Sequence, residues 1–334
     1  MEFIIIAFLL IVAEIIYFRI ADKFNIIDKP NGRSSHSSIV LRGGGVIFIV
    51  GAWLYAAFYG VQLWPFLVGL TMIAGISFVD DVKPLPDSVR LVVQFIAMGL
   101  MFYQWGILHW EYCWIVILGL ILCVGIINAY NFMDGINGIT GGYSLAILIP
   151  LAWLNHNGGT SIARFTDQNL IYVTILADFV FCFFNFRPRG KAKCFAGDVG
   201  SVGVAFILVY MVGALILKTG DFTYIMLLAL YGVDSVLTIV HRILLHENIG
   251  QAHRKHVYQL MANELKMSHV TVSVIYMLLQ LTIALGLILI PDTALCHWGY
   301  LFVVLLLLAL AYVLFKKKYY HLHEEYLAQL MKAE

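Results

Sequence analysis

Residues 113–150 read CWIVILGLILCVGIINAYNFMDGINGITGGYSLAILIP, two apolar runs separated by a polar, glycine-rich stretch from Asn128 to Gly142. Each flanking run has the length that crosses a bilayer, about 17–25 mostly apolar residues. A carboxylate and three carboxamides between them are costly at that depth unless they are used. The same alternation recurs along the chain, with apolar segments centred near Leu9, Ile49, Met72, Ala97, Ile121, Ile147, Ile175, Leu208, Leu227, Met277 and Leu306. Hydrophobic residues make up 61% of the sequence and charged residues 12%, against roughly 45–50% and 25% in soluble domains. The chain reads as one all-α, polytopic membrane bundle of about ten or eleven spans. A lysine-bearing tail from about residue 316 is expected to form a short surface helix. The first span lacks a basic lead and a small-residue cleavage site, and is expected to remain a span.

Cytoplasmic loops concentrate Lys and Arg. Alternating the sides of eleven spans places all but Arg164 and Lys218 of the 21 basic residues on one face. That face is expected to be cytoplasmic in a bacterial-type inner membrane, with the N-terminus outside and the C-terminus inside. A net charge of +1 and the lack of an aromatic-interleaved basic patch argue against a nucleic-acid partner. The five cysteines form no CxxC pair, so neither a disulfide framework nor a zinc site is expected. A homo-oligomer is left open. The histidines on the other face, His109, His156 and His297, read as solvated loop residues.

The motifs fall on the basic face. Asp28 to Gly45 reads DKPNGRSSHSSIVLRGGG, in which Arg33, His36 and Arg42 could reach an anion and the glycines would let the backbone approach a ligand. In VDDVKPLPD, Asp80 and Asp81 lie at a helix C-terminus, where mutual repulsion and the helix dipole both disfavour them. A divalent metal, Lys83 or a proton would have to compensate. Asn128, Asn131, Asp134 and Asn137 recur every third residue and would line one face of a helical turn, suited to a uracil edge, ribose or sugar. Asn185 ends a span, the basic stretch RPRGKAK follows, and FAGDVGS leads into the next helix from Phe195. Asp198, framed by Gly197 and Gly200, reads either as a cation ligand or as an ordinary helix cap. The amides behind it and the Ser201 hydroxyl could receive phosphate oxygens. His253, Arg254 and His256 in HRKHVYQ form a compact cationic cluster suited to a diphosphate. Asp234, Thr238 and Arg242 share a helical face, with Asp234 and Arg242 too far apart for a direct ion pair.

Taken in order, DKPNGRSSH with RGGG, VDDVKPLP, NAYNFMDGINGITGG, FNF with FAGDVGS, and DSVLTIVHR with HRKHVYQ resemble the polyprenyl-phosphate N-acetylaminosugar-1-phosphate transferases of glycosyltransferase family 4. These include the enteric and teichoic-acid GlcNAc-1-phosphate transferases and, more distantly, phospho-MurNAc-pentapeptide translocase. The resemblance spans nearly the whole chain and implies an all-helical bundle with a cytoplasmic active-site cleft. It matches Asp198 to the family's Mg²⁺-binding Asp, with Mn²⁺ as a substitute. Asp80 and Asp81 match its Asp pair, and Asp134 and Asn137 its nucleotide-side hairpin. The translocase branch has three histidines where HRKHVYQ stands and a carboxylate at Asn137, so a MurNAc-pentapeptide donor is disfavoured. HRKHVYQ resembles most the branch that starts O-antigen or capsule chains on deoxy-aminosugars, with GlcNAc or GalNAc still open.

The expected reaction is transfer of an N-acetylaminosugar 1-phosphate from a UDP-sugar to polyprenyl phosphate, releasing UMP. Asp80, Asp81, Asp134, His253, Arg254 and His256 would carry catalysis. Arg42, Asn128, Asn131, Asn137, Asn185, Phe195, Gly197 and Ser201 would bind substrate, and Asp198 the metal. The competing reading is a transporter or flippase with an ion path through Glu14 and Asp178.

Overall fold

The computed structural model describes residues 1–28, 39–157, 164–251 and 253–333, with side chains as far as residue 329. Within them the chain forms twelve α-helices. α1 (Glu2–Lys23), α2 (Val46–Tyr59), α3 (Trp64–Val82), α4 (Asp87–Trp105), α5 (Cys113–Phe132) and α6 (Ile139–Asn157) make up the first half. α7 (Gln168–Asn185), α8 (Gly197–Thr219) and α9 (Ala229–Leu244) follow, with 3-10 turns at Phe222–Leu228 leading into α9. A short α10 (Val257–Gln259) passes through a π-helical turn (Leu260–Glu264) before α11 (His269–Leu289) and α12 (Ala294–Ala333). A two-residue antiparallel ladder pairs Ile27–Asp28 with Val40–Leu41, and Leu41 also bridges to Cys194.

Every apolar centre expected from the sequence lies on a helical stretch, and among the described residues eight stretches are long and apolar enough to cross a membrane. The remaining three, α2, α4 and α6, differ for physical reasons. α2 has 14 residues, about 21 Å at 1.5 Å per residue, which is short of a hydrocarbon core of about 30 Å. α6 carries Thr140, Tyr143, Ser144 and Asn155 in its buried set. It meets protein on nearly all sides, so its polar groups find partners there instead of facing lipid. α4 buries one face and turns Val92, Phe95 and Ile96 outward. α8 is the central helix, buried from Val199 to Val212. The outside is apolar as well, with Trp114, Ile115, Leu118 and Ile121 of α5 and Leu306, Leu310 and Leu314 of α12 exposed, as a lipid-facing surface requires.

α12 corrects the expected surface helix. It runs 40 residues without a break, about 60 Å, so the segment after Lys316 continues the last span and docks back onto the protein. The loops separate into two ends. Tyr55 donates to Asp167 and Asn155 to Thr166 at one end, while the described parts of the polar motifs meet at the other. His109 and His156 are exposed at the sparse end as expected. His297 is not solvated: it is buried, its Nδ1 lies 2.5 Å from Asp221 Oδ2, and its ring packs edge-on against Tyr224.

Candidate active site

The adjacent carboxylates at the end of α3 are compensated by two guanidinium groups. Lys83 is exposed and takes no part. Arg42 Nε lies 2.9 Å from Asp81 Oδ1, and Arg90 Nη1 lies 2.9 Å from Asp80 Oδ2. Arg90 then reaches on: its Nη2 is 3.2 Å from Asp198 Oδ2, so one side chain on the first turn of α4 bridges Asp80 to Asp198. Arg42 Nη2 approaches Asp198 from the other side at 3.8 Å. Nothing in the local sequence marks Arg90, because its partner Asp198 lies 108 positions away.

The two members of the Asp pair have different tasks. The Asp81 side chain is fully buried, and it accepts from the backbone N–H of Asp198 at 3.0 Å and of Val199 at 3.1 Å. It thereby caps α8, where the positive end of that helix offsets the unfavourable end of its own. The expected phosphate cradle at the start of α8 is accordingly filled by Asp81. The Ser201 hydroxyl is also engaged, donating to Asn131 Oδ1 at 2.6 Å and to the Gly197 carbonyl at 3.0 Å. Asp80 accepts from Leu85 N at 2.7 Å, and its side chain keeps 13% exposure beside 19% for Asp198. These two carboxylates are the partly exposed ones of the three.

The glycines serve protein contacts. Gly44 N donates to the Phe195 carbonyl, Gly45 N to the Ala196 carbonyl and Phe195 N to the Leu41 carbonyl, so RGGG and FAGD pair main chain to main chain. A Cβ on Gly45 would fall 2.2 Å from Gly200 Cα, and one on Gly197, at φ +69°, would fall 2.6 Å from Asp81 Oδ2. The Tyr17 hydroxyl donates to the Arg42 carbonyl at 2.5 Å, so α1 also holds this turn. Burial opposes the charge of Arg42, but the carboxylates of Asp81 and Asp198 outweigh it and raise its pKa above the ordinary value. Arg33 and His36 lie outside the described residues.

The hairpin from Asn128 does not present one helical face. α5 ends at Phe132, residues 133–138 turn through Gly138 at φ +84°, and the four polar side chains diverge. Asn128 donates to Gln94 Oε1 and to the Val124 carbonyl, tying α5 to α4. Asn137 is buried and donates to the carbonyls of Arg187 and Pro188. Asn185 accepts from Gly138 N at 2.7 Å and donates to the Cys194 carbonyl at 2.8 Å. These three amides build the hairpin and its seat. Asn131 and Asp134 stay beside the acidic centre: Asn131 hydrogen-bonds Asp198, and Asp134 accepts from Thr140 Oγ1 at 2.5 Å. Burial, with the nearby charges of Asp198 and Asp81, pushes Asp134 up to about 7.

The HRKH segment sits on the other side of the hairpin. Tyr258 donates to the Phe132 carbonyl at 3.0 Å and lies so close to Gly135 that a Cβ there would be 2.2 Å from its hydroxyl. The expected free cationic cluster is charge-compensated. Burial and the neighbouring His256, Arg242, Lys255 and Lys316 lower His253 to about 3, so it is neutral at pH 7. Arg254 Nη2 lies 3.2 Å from Glu264 Oε1, Lys255 bonds Glu247, and His256 Nδ1 is 3.3 Å from Asp234 Oδ1. Asp234 also accepts from Tyr276 and from Val257 N. Arg242, as expected, does not pair with Asp234: it binds Glu247 and the carbonyls of Asn248, Ile249 and Gln251. Glu247 and Glu264 were not singled out from sequence, and Asp234 was, but without its partner His256, because an acid and its cation share no visible pattern once a turn separates them.

No group of three His, Cys, Asp or Glu converges as a closed metal cage among the described residues. Three carboxylates nevertheless face two guanidiniums at the centre. One or two carboxylates with a substrate phosphate are the donor set that Mg²⁺ uses, and Asp198 with Asp80, partly exposed on either side of Arg90, are the carboxylates that fit it. Glu14 and Asp178, the acids an ion path would need, are instead fully buried beside the thiols of Cys194 and Cys182. Fold and centre together define a polytopic membrane protein with an arginine-bridged acidic site at one end of its helices. Residues 63–216 match glycosyl transferase family 4. The matched segment contains Asp80, Asp81, Arg90, Asn131, Asp134 and Asp198.

The chain is similar to the probable undecaprenyl-phosphate N-acetylglucosaminyl 1-phosphate transferase of Bacillus subtilis (strain 168), at 28% identity over 283 residues, covering 78% of this chain and 76% of that protein. It is also similar to the undecaprenyl-phosphate alpha-N-acetylglucosaminyl 1-phosphate transferases of Salmonella typhi, at 24% over 214 residues, and Escherichia coli (strain K12), at 25% over 213. Those two matches cover 58% of this chain and 56% of each relative.

Proposed function

We propose that the protein transfers an N-acetylaminosugar 1-phosphate from its UDP form to a polyprenyl phosphate such as undecaprenyl phosphate, starting a lipid-linked envelope glycan of the O-antigen or capsule type. The observation that carries this is the centre of Asp80, Asp81 and Asp198, bridged by Arg90 and Arg42 beside Asp134, at the end of a lipid-facing bundle. The named activity of the relatives supports the reading and weighs against a transporter.

In the proposed reaction an oxygen of the lipid phosphate attacks the sugar-linked phosphorus of the donor. The diphosphate P–O bond breaks and UMP leaves. Such transfers depend on positioning and charge neutralisation. Asp80 orients the acceptor phosphate and takes its proton where one is present, while Asp81 holds Asp198 through the start of α8. Asp198 and Asp80 would hold Mg²⁺, or Mn²⁺ in its place, which when bound neutralises diphosphate charge. Asn131 and Asp134 face the nucleotide side. The acceptor's prenyl chain would lie in the apolar groove of about 670 Å³ between α5, α9 and α12, lined by Gly125, Ala129, Val236 and Leu305.

The test is purified protein with Mg²⁺, undecaprenyl phosphate and a panel of UDP-sugars, scored for UMP and lipid diphosphate. Product from at least one donor is expected. No product from any of them, together with ion-coupled uptake in vesicles, would return the protein to the transporter class.

Two further outcomes follow from the same geometry. The polar end is the basic end, so it should face the cytoplasm of a bacterial plasma membrane. An impermeant thiol reagent should then label a cysteine placed near Arg164 from outside and one near Lys191 only from inside. Reversed labelling would separate the site from its nucleotide donor. Asp134 titrates near 7 and acts in its ionised form, so kcat/KM for the donor should climb from about pH 6 to about pH 8. Asp134→Asn should flatten that rise, and an unchanged profile in the variant would remove Asp134 from the chemistry.

A further inference from the structure

The second half of α12 lies against the HRKH segment along one face. Thr238 Oγ1 and the Tyr312 hydroxyl are 3.0 Å apart, which fixes the helix against α9. One turn on, Lys316 donates to the Lys255 carbonyl and is buried. The Tyr320 ring then takes the Lys255 ammonium at 5.8 Å and meets the His241 ring edge-on at 4.6 Å. His323 Nδ1 lies 3.0 Å from Glu264 Oε1, the same oxygen that Arg254 reaches at 3.2 Å, and the Arg254 guanidinium sits 4.3 Å over the Tyr326 ring. Residues 312, 316, 320, 323 and 326 repeat at helical spacing, while Lys317, Lys318 and His321 between them are exposed.

An interfacial anchor would turn its aromatic face to lipid. Here that face is covered, with His323 at 1% exposure and Lys316 at 7%. From the end of α9 at Leu244 to α10 at Val257 the chain forms no helix among its described residues. A loop of that kind holds a productive geometry only when a surrounding shell fixes it. We infer that Lys316–Tyr326 is an intramolecular strap, and that His323, through Glu264, and Tyr326, by direct ring contact, are positioning residues which hold Arg254 in the segment that Tyr258 packs on the Asp134 hairpin. Its consequence for catalysis rests on the proposed reaction, since Arg254 would meet the donor diphosphate.

The test uses full-length protein in detergent. His323→Ala and Tyr326→Ala should each lower kcat/KM for the UDP-sugar, toward the roughly 10²-fold that a 1 Å misplacement costs, while leaving KM for polyprenyl phosphate near wild type. His323→Asn, whose amide can replace Nδ1 toward Glu264, should restore the donor kinetics. Lys317→Ala, on the exposed face, should match wild type. Independently of turnover, trypsin should cut after Arg254 or Lys255 faster in the two alanine variants than in wild type. Wild-type donor kinetics in both alanine variants, equal losses for donor and lipid, or unchanged trypsin cleavage would each overturn the strap. If wild-type protein turns over no UDP-sugar, the functional reading falls and the trypsin result alone decides the strap.

Discussion

Asp198→Asn is expected to abolish turnover while leaving the bundle assembled. The side chain stands on the first turn of α8, between Arg90 at 3.2 Å and Arg42 at 3.8 Å, and keeps 19% exposure. Asparagine has the same shape, so no cavity forms, and the cap on α8 is untouched because Asp81 supplies it. What disappears is one of the two open negative charges that would hold a divalent cation at the donor diphosphate. Losing one such electrostatic partner commonly costs about 10²- to 10³-fold in kcat, and a lost metal ligand belongs at or beyond the upper end. UMP release measured against Mg²⁺ concentration, with thermal unfolding of the same preparation, reads both effects. Asp178→Asn, on α7 beside Cys182, should not share the pattern. Wild-type activity of Asp198→Asn at low Mg²⁺ would sink the metal assignment.

Gly45→Ala should be the most damaging single methyl group in the chain's polar end. Its Cβ would sit 2.2 Å from Gly200 Cα and 3.0 Å from the Ala196 carbonyl, both backbone atoms that cannot rotate away. The starts of α2 and α8 would have to separate, at about 1–3 kcal/mol or more for an overpacked contact. Separation also moves Asp198 relative to Arg42, and displacements of about 1 Å can cost 10²-fold in rate. Gly75→Ala, where a Cβ meets nothing within 4 Å, provides the matched control. A lower melting temperature and a large loss of UMP release are expected for Gly45→Ala alone. Equal behaviour of the two variants would show that the glycine contact does not set the site.

Composition and periodicity were sufficient for the architecture, because lipid imposes one rule on every span: its outward side chains are apolar and its backbone is bonded internally. That is why each expected centre, from Leu9 to Leu306, lies on a helical stretch. The gathering of polar motifs at one end was equally legible, since antiparallel spans return the chain to the same side at every second loop. Asp80, Asp81, Asp134 and Asp198 were legible as chemistry because charge near a membrane is costly without a use.

The partner of each polar group was decided only by tertiary structure. Arg90 looks like any loop cation until α3, α4 and α8 pack and bring Asp80 and Asp198 to its two ends. Asn128, Asn137 and Asn185 have the composition of a ligand site, yet their amides bond backbone and side chains brought by neighbouring segments. The HRKH segment reads as three or four positive charges in a row. Glu247, Asp234 and Glu264 neutralise it from both flanks, and burial keeps His253 uncharged. Charge in sequence is a property of a residue, whereas charge at a site depends on what packing places within a few ångströms and on how much water it removes. Helix position follows from local apolarity, and the roles of the residues between helices follow from contacts that local pattern does not encode.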